Sequence, residues 1–367
     1  MMTNPEEPAV ELTGLSKRFG DVQAISDLDL TARGGELISI LGASGSGKTT
    51  LLRLVAGFEA PTTGSIRLHG QEVASLSPAE REIGMVFQNY ALFPHLTVRR
   101  NIEYGLRMRG WNRERRVARS AELLARMRLD ALGDRLPRQL SGGQQQRVAI
   151  ARALAYSPRL VLMDEPLGAL DKALKENLLA EIRRVHREFG TTILYVTHDR
   201  EEALTLSDRV AIMRDTRLVC VSPVRELYLD PPNSYVAEFF SQSNVIPLTG
   251  EPAALTRRGP EDADVTLGGR AHTLPLTGHA ARSEELALVI RPGQVRPAAG
   301  EKDLPLPGTV SDLVFLGDTV HLRVAVPRLA KPVSALAPAD AVAGLAVGDD
   351  VVLGLPPEHL RLLPEHA

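Results

Sequence analysis

The sequence predicts an α/β domain over residues 9–243, followed by a small all-β domain over residues 244–367. In the first domain, short apolar runs with the length of buried strands alternate with helical patterns, and one such strand runs into a glycine-rich loop. In the second, proline and glycine turns separate short β-type runs, and no long helical pattern occurs. A chain of 367 residues is expected to form two or three domains.

The glycine-rich loop, residues 42–50, satisfies the pattern G-x-x-x-x-G-K-[ST]. It lies between a predicted buried strand at 37–41 and a helix that Gly57 ends. Backbone N–H groups of such a loop, together with the helix N-terminus, bind phosphate oxygens. Lys48 is expected to reach the β- and γ-phosphates of a nucleoside triphosphate, and the Thr49 hydroxyl to bind Mg²⁺. The residues expected to contact the nucleotide are Gly42, Ala43, Ser44, Gly45, Ser46, Gly47, Lys48, Thr49 and Thr50.

Composition excludes several classes of protein. With 44% hydrophobic and 24% charged residues, the chain can bury a normal core and is neither disordered nor fibrous. It contains no apolar run of about 18 residues and no apolar core near its start, so neither a membrane span nor a secretory signal is expected. A net charge of -2 gives no argument for nucleic acid. The single cysteine, Cys220, lies in an apolar run and is expected to be a buried structural thiol.

Polar side chains follow three predicted strands, at the ends where open α/β sheets bind ligands. Gln88 follows the strand at 83–87, Asp164 and Glu165 follow the strand at 160–163, and His198 follows the strand that begins at Thr192. Adjacent carboxylates are unfavourable without a cation or a catalytic role. Asp164 suits Mg²⁺ and Glu165 suits the polarisation of an attacking water. A lone histidine is more often structural, but His198 belongs to this set of strand ends.

A second predicted anion site opens a helix at Ser141, which forms a capping box with Gln144. Gly142 and Gly143 follow, and two glycines at a helix N-terminus lose backbone entropy. We therefore expect this backbone to lie close against a ligand, although a capped helix alone would also explain the cap. One bound nucleotide does not need two such sites in one chain. Two arginine-rich helices, at about 97–109 and 112–128, are expected to present solvated faces.

In this order, these motifs resemble the nucleotide-binding subunit of an ATP-binding cassette (ABC) transporter, over about residues 9–241. The resemblance implies a phosphate-loop NTPase cassette with a helical subdomain at about 89–157, and it identifies residues 140–144 as the family signature. Two departures are small: Gly168 stands where the family often has serine, and Ala43 where it often has proline. Neither position supplies a side chain that the chemistry needs.

The resemblance also implies roles for individual residues. Phe19, which by itself could be a flap over the core, resembles the aromatic residue that stacks on adenine. Glu165 resembles the catalytic base, with Lys48, Gln88 and His198 as the other catalytic residues. Mg²⁺ would be held by Thr49, Gln88 and Asp164. In a head-to-tail homodimer, each ATP would lie between one phosphate loop and the partner's signature, and the residues implied on the partner's side are Ser141, Gly142, Gly143, Gln144 and Asp171.

Residues 88–98 resemble importer ATPases in particular, and their apolar side chains would receive a short helix of a separate permease. The expected protein is a peripheral ATPase on the cytoplasmic face of the plasma membrane. A periplasmic or extracellular solute-binding protein would feed its permease, and the cargo would be a polyamine or ferric iron. The alternative is a soluble ABC ATPase that acts on ribosomes or DNA, but such proteins usually carry two cassettes or a long inserted coiled coil. Neither feature occurs in this sequence.

The last third resembles the transport-associated OB-type (TOBE) domain, through the run at 308–317. OB barrels often bind oligonucleotides through aromatic side chains. Here Phe315 is the only aromatic residue after Phe240, and acidic residues outnumber basic ones, so a regulatory or dimer-stabilising role is expected and nucleic acid is not. A weak internal repeat, residues 288–296 against 353–361, suggests a duplicated half-barrel.

Overall fold

The computed structural model describes residues 8–168, 172–250, 252–276 and 278–365. The chain divides into two compact units, one up to Val224 and one from Arg225 onward. The helix Ser234–Ser241, which composition placed with the first domain, belongs to the second unit. The reason is packing, because its Ala237 is buried against Val289 and Leu363 of that unit.

The first unit contains two sheets and six helices among its described residues. Its strands are β1 (Pro8–Phe19), β2 (Val22–Arg33), β3 (Leu37–Gly42), β4 (Thr63–Leu68), β5 (Gln71–Glu72), β6 (Gly84–Val86), β7 (Leu160–Asp164), β8 (Thr192–Thr197), β9 (Arg209–Arg214) and β10 (Arg217–Pro223). Its helices are α1 (Lys48–Ala56), α2 (Val98–Met108), α3 (Arg113–Arg126), α4 (Gly142–Ala153), α5 (Lys172–Phe189) and α6 (Arg200–Leu206). The helices expected at 97–109 and 112–128 are therefore confirmed.

The larger sheet has the order β10-β9-β3-β8-β7-β6, with parallel pairing except between β9 and β10. Every residue of β3 and β8 is buried, as expected of parallel strands covered on both faces. The smaller sheet, β2-β1-β4-β5, is antiparallel. Between β6 and β7 the chain forms α2, α3 and α4, which share one core with α5 and one face of the larger sheet. The strands β6, β7, β8 and β3 are neighbours, so their carboxyl ends meet at one edge.

The second unit is mainly β-structure. Two short helices, α7 (Val224–Leu229) and α8 (Ser234–Ser241), precede three antiparallel sheets of order β11-β16-β21, β12-β13-β14-β15 and β19-β18-β17-β20. One apolar core is built from all three sheets, as the predicted OB-like barrel requires. The strands are β11 (Asn244–Pro247), β12 (Thr249–Gly250), β13 (Ala253–Arg257), β14 (Asp262–Leu267), β15 (Arg270–Pro275), β16 (Leu286–Ile290), β17 (Leu304–Phe315), β18 (Thr319–Ala325), β19 (Val333–Pro338), β20 (Asp350–Leu355) and β21 (Arg361–Pro364).

The internal repeat of the sequence corresponds to a repeat in the structure. In each copy a strand, β16 or β20, is followed by a proline-initiated 3₁₀ turn, Pro292–Gln294 or Pro357–His359. The copies touch where Arg296 and Gly354 exchange two backbone hydrogen bonds of 2.9 Å each. The two strands nevertheless lie in different sheets.

None of the helices described here is both long enough and apolar enough to span a membrane.

Candidate functional site

The phosphate loop joins β3 to α1, and its backbone conformation requires glycine. Gly47, the N-cap of α1, has a φ of 100°, in the left-handed region that glycine favours. A Cβ there would lie 2.4 Å from the Ala24 carbonyl oxygen, and a Cβ on Gly42 would lie 2.5 Å from the Met213 carbonyl oxygen. Neighbouring strands therefore pack directly on the loop backbone. This leaves a concave row of N–H groups at a helix N-terminus, as expected of a phosphate cradle.

Lys48 is buried at the centre of this loop and is 6% exposed. Its Nζ donates to the carbonyl oxygens of Gly42 at 2.8 Å and Ala43 at 2.9 Å. An ammonium group has three N–H donors, so these carbonyls fix its direction and leave a donor for an anion. Burial lowers the pKa of Lys48, and the nearby carboxylates of Glu165 and Asp164 partly oppose this shift. A bound phosphate would favour the charged form in the same way.

Thr49 and Asp164 form a pair of oxygen ligands beside the loop. Thr49 Oγ1 donates to Asp164 Oδ1 at 3.3 Å. Burial raises the pKa of Asp164, and the neighbouring Glu165 charge raises it further. A hard cation prefers such oxygen ligands and would remove this repulsion between carboxylates. The two residues therefore fit Mg²⁺ by their chemistry.

Glu165 lies at the centre of the hydrolytic group. Its Oε2 accepts a hydrogen bond from Gln88 Nε2 at 3.4 Å and lies 3.3 Å from His198 Nδ1. The backbone of Glu165 has a φ of 42°, rare for a residue with a side chain, and its N–H donates to the Val196 carbonyl at 3.0 Å. This bond ties the residue after β7 to the adjacent strand β8 and turns the carboxylate toward His198. The structure thus brings together all three strand-end groups that the sequence singled out.

An open cleft of about 550 Å³ runs over the phosphate loop and reaches Glu165 and His198. One wall comes from the first residues of β2, which were not predicted from the sequence to belong to the site. The wall residues are Val22, Gln23 and Ala24. The feature that marks this wall is the large apolar side chain of Val22, which is 67% exposed. Its exposure is known only once the protein is folded, so the sequence gives no sign of it.

Phe19 lies at the end of β1, beside that wall, and is 45% exposed. The Lys17 ammonium lies 4.6 Å from the centroid of its ring, and the same ammonium pairs with Glu59 at 3.0 Å. Phe19 is therefore a surface aromatic and not a flap over the core. Phe19 itself does not line the cleft over the phosphate loop. The stacking role expected of it stays a prediction.

Comparison with known protein families and with individual proteins identifies the family of this chain. Residues 25–168 match the ABC transporter family, and residues 288–363 match the TOBE domain family. The spermidine/putrescine import ATP-binding protein PotA of Thermobifida fusca (strain YX) is 40% identical over 376 residues, which cover 99% of this chain and 95% of that protein. The chain belongs to the ABC importer ATPases. As in that family, it combines an ATP-hydrolysing cassette with a C-terminal TOBE domain.

Other importer ATPases show a similar relationship. The protein of the same name from Methylococcus capsulatus (strain ATCC 33009 / NCIMB 11132 / Bath) is 44% identical over 321 residues, which cover 86% of this chain and 82% of that protein. A solved ATP-binding cassette, described as a dimer in a post-hydrolysis state bound to ADP and Pi, superposes with a TM-score of 0.53 at 34% identity. It covers 59% of this chain and 99% of its own length, so the likeness is to the cassette.

The ABC signature opens α4 with the predicted capping box. Ser141 N donates to Gln144 Oε1 at 3.0 Å, and Gln144 N donates to Ser141 Oγ at 3.4 Å. Gly143 is buried, and a Cβ there would lie 2.8 Å from Leu174 Cδ1. A side chain at position 143 would therefore press on the flexible end of Leu174, and the contact with a ligand expected of this glycine stays a prediction. Residues 141–144 do not line the cleft over the phosphate loop of their own chain.

Two further positions were singled out in the sequence. Asp171, implied in the dimer contact, lies outside the described residues. At Gly168, where the family often has serine, a Cβ would lie 3.6 Å from the Glu165 carbonyl oxygen and 3.9 Å from Gln88 Nε2. These are ordinary contact distances, so the missing side chain leaves the position beside Glu165 open.

Proposed function

We propose that this ABC importer ATPase drives uptake of the polyamines spermidine and putrescine through a separate permease, as a homodimer with Mg²⁺·ATP between its subunits. The carrying observation is the convergence of the phosphate loop, Asp164, Glu165 and His198 on one sheet edge. The names of relatives 40% and 44% identical to this chain support the cargo. Ferric iron, the other cargo expected from the sequence, has no comparable support.

In this proposal the phosphate loop binds the nucleotide. Its N–H groups and the N-terminus of α1 receive the phosphates, while Lys48 directs its remaining N–H toward the β- and γ-phosphate oxygens. Phe19, which is 45% exposed beside the cleft wall, would stack on adenine. Thr49 and Asp164, with Gln88, would hold Mg²⁺, which neutralises charge on the phosphates.

Hydrolysis then depends on Glu165. Its carboxylate would accept a proton from the attacking water as the water oxygen bonds to the γ-phosphorus, while the bond from that phosphorus to the β–γ bridging oxygen breaks and ADP leaves. His198, 3.3 Å from that carboxylate and 60% exposed at the cleft, would donate to a γ-phosphate oxygen and so stabilise the phosphoryl group during its transfer. Gln88 donates to the same Glu165 oxygen and keeps the base turned toward the site. Catalysis here is mainly positioning and electrostatic stabilisation.

The homodimer would complete the site. The signature residues 141–144 are on α4, away from the cleft over the phosphate loop of their own chain. A twofold arrangement brings the partner's α4 N-terminus to that cleft and uses both anion sites of each chain on a shared nucleotide. ATP binding would close this interface and hydrolysis would open it, which gives the movement that transport needs.

The permease would bind on the loop before α2. Asn101 holds this loop from inside: its Oδ1 accepts from Phe93 N at 2.9 Å and its Nδ2 donates to the Leu96 carbonyl at 3.0 Å. Arg152 donates to the carbonyls of Tyr90 and Ala91 at 2.9 and 2.7 Å. The surface beside this loop is apolar, since the ring of Tyr104 on α2 lies 4.4 Å from the Phe93 ring and is 39% exposed. A fixed apolar surface of this kind suits an amphipathic helix of a membrane subunit.

This assignment places the chain at the cytoplasmic face of the plasma membrane, held by its permease. A solute-binding protein outside the membrane would act on the same permease. The C-terminal TOBE domain would regulate or stabilise the dimer.

Uptake of labelled spermidine, putrescine, ferric iron, sulfate and maltose tests the proposal, in cells with the wild-type protein or Glu165→Gln. That variant keeps the size of the side chain and lacks the carboxylate base, so it should bind ATP and fail to turn over. We expect polyamine uptake alone to fall, by about 10-fold or more, in line with loss of a general base. Loss of another solute's uptake would correct the cargo. Normal uptake of all five, with active purified ATPase, would favour the soluble ABC ATPase class instead.

A further inference from the structure

A buried polar cluster lies behind His198, and the proposed mechanism does not use it. Tyr195 OH donates to Glu202 Oε2 at 2.7 Å, and Lys175 Nζ lies 2.6 Å from Glu202 Oε1. The same ammonium lies 2.5 Å from Asp199 Oδ2. Three elements thus meet at one cation: Tyr195 belongs to β8, Lys175 to α5, and the two carboxylates to the start of α6.

Both side chains of the contact between Lys175 and Glu202 are largely buried. The Glu202 side chain is 3% exposed and the Lys175 side chain 19%. A carboxylate so far from water needs a partner of opposite charge. Burial alone would raise the pKa of Asp199, but Lys175 and two backbone N–H groups hold it below its ordinary value. Lys175 thus lies between the carboxylates of Asp199 and Glu202, within ion-pair distance of both.

The cluster surrounds the turn that carries His198. Asp199 N donates to Thr197 Oγ1 at 2.9 Å, and Asp199 Oδ1 accepts from Glu201 N at 2.7 Å as the cap of α6. One carboxylate oxygen of Asp199 thus caps α6 while the other contacts Lys175, and the backbone N–H of Asp199 closes the turn. His198 itself is 60% exposed, and its side chain contacts Glu165. Its position therefore depends on how firmly the turn is held.

We propose that Lys175 is a positioning residue for ATP hydrolysis, which anchors the His198 turn to α5 through Asp199 and Glu202. This inference rests on the role of His198 in the proposed function. The two ion pairs of Lys175 join α5 to the start of α6, directly after His198 in the chain.

The test compares ATPase kinetics of the full-length variants Lys175→Met, Asp199→Asn and the double variant. Lys175→Met removes the charge and keeps the length, whereas Asp199→Asn keeps the capping oxygen and loses the ion pair. We expect each to lower kcat by about 10-fold while KM and the Kd for a fluorescent ATP analogue stay within about 2-fold. The double variant should be no slower than Lys175→Met alone, because Lys175→Met already breaks the contact with Asp199 that Asp199→Asn removes. Lys175→Arg should restore kcat to within about 3-fold of the wild type.

Arg184→Met is the matched control, since Arg184 lies on the same helix and pairs with Glu181 and Glu188 away from the His198 turn. Thermal melting corrects each kcat for folded protein. Equal losses in Arg184→Met and Lys175→Met, a raised KM with normal kcat, or multiplied losses in the double variant would overturn the inference. If Lys175→Met does not fold, Asp199→Asn decides alone, and a kcat within about 3-fold of the wild type rejects the role.

His198→Ala separates the two levels of the argument. If it turns over ATP at the wild-type rate, the proposed role of His198 fails. If it is slow while Lys175→Met is normal, only the anchor fails.

Discussion

At the scale of single residues, the site stores unusual backbone conformations where the chemistry is expected. Glu165 has a φ of 42° and Gly47 a φ of 100°. Glycine adopts such a conformation freely, but for Glu165 it costs free energy and persists because the surroundings enforce it. For Glu165 the enforcing contact is the backbone bond to Val196 on the neighbouring strand, whereas at Gly47 the close approach of β2 excludes a side chain. The two residues expected to meet the nucleotide and the water are thus held by tertiary packing.

Replacement of Gly47 by alanine tests this enforcement without any nucleotide. A Cβ at position 47 would overlap the Ala24 carbonyl, whereas Gly45, with a φ of 82°, has no atom within 4 Å of a built Cβ. Gly45→Ala should therefore cost only the conformational penalty, about 1–2 kcal/mol. Gly47→Ala should cost clearly more than Gly45→Ala in urea unfolding. Equal losses of unfolding free energy in the two variants would show that the loop shifts to make room for the Cβ at position 47.

Cys220 gives a second prediction at this scale. Burial raises the pKa of its thiol to about 11, from an ordinary value near 9. Only the thiolate reacts with iodoacetamide, so at pH 8 the folded protein should react about 100-fold more slowly than the urea-unfolded chain. A mass shift followed over time measures both rates. Equal rates would mean that the thiol is an accessible nucleophile, against the structural role expected from the sequence.

At the scale of elements, α4 raises the question of whether Ser141 only caps a helix. Its hydroxyl accepts a hydrogen bond from Gln144 N, and the side-chain oxygen of Gln144 accepts one from Ser141 N. Either bond can be removed separately, because the two side chains make one bond each. The contribution of Ser141 to helix stability and its proposed contact with the partner's ATP can therefore be measured separately.

Ser141→Ala and Gln144→Ala should each destabilise the protein by about 1 kcal/mol, as loss of a cap does. If the signature also meets the partner's nucleotide, Ser141→Ala should lower ATPase turnover by more than its loss of stability explains, and Gln144→Ala, which changes a residue implied in the same contact, should do so too. Urea unfolding and turnover at saturating ATP measure the two effects. Wild-type turnover of the folded Ser141→Ala variant would limit Ser141 to capping.

At the scale of the whole molecule, the two compact units have separate cores. Leu162 of β7 and Leu322 of β18 are both fully buried, one in the cassette and one in the TOBE domain. Each unit can therefore lose stability by itself.

Calorimetry of Leu162→Ala and Leu322→Ala checks this independence. Each truncation of a buried leucine should cost about 2–5 kcal/mol. We expect two unfolding transitions, with Leu162→Ala lowering the one that Mg²⁺·ATP raises and Leu322→Ala lowering the other. A single transition shifted by both variants would show that the units unfold together.

Much of the fold and of the candidate site could be predicted from the sequence, because the motifs that carry the prediction are local. The phosphate loop, the capping box at Ser141 and the order of strands with polar ends each occupy a few consecutive residues. Chain-local physics decides such features: glycine for a left-handed turn, a serine hydroxyl for a helix N-terminus, apolar runs for buried strands. The cassette, the all-β second unit and most site residues could therefore be predicted without coordinates.

Only the tertiary structure decided how distant segments meet. The sheet order β3-β8-β7-β6 makes neighbours of strands far apart in the chain, and it brings Gln88 and His198 to the same oxygen of Glu165. The cleft wall at Val22 and the Lys175 anchor behind His198 likewise join segments that no local pattern relates. The physical reason is that strand pairing and buried charge are contacts between remote residues, and their partners are chosen by packing of the whole unit.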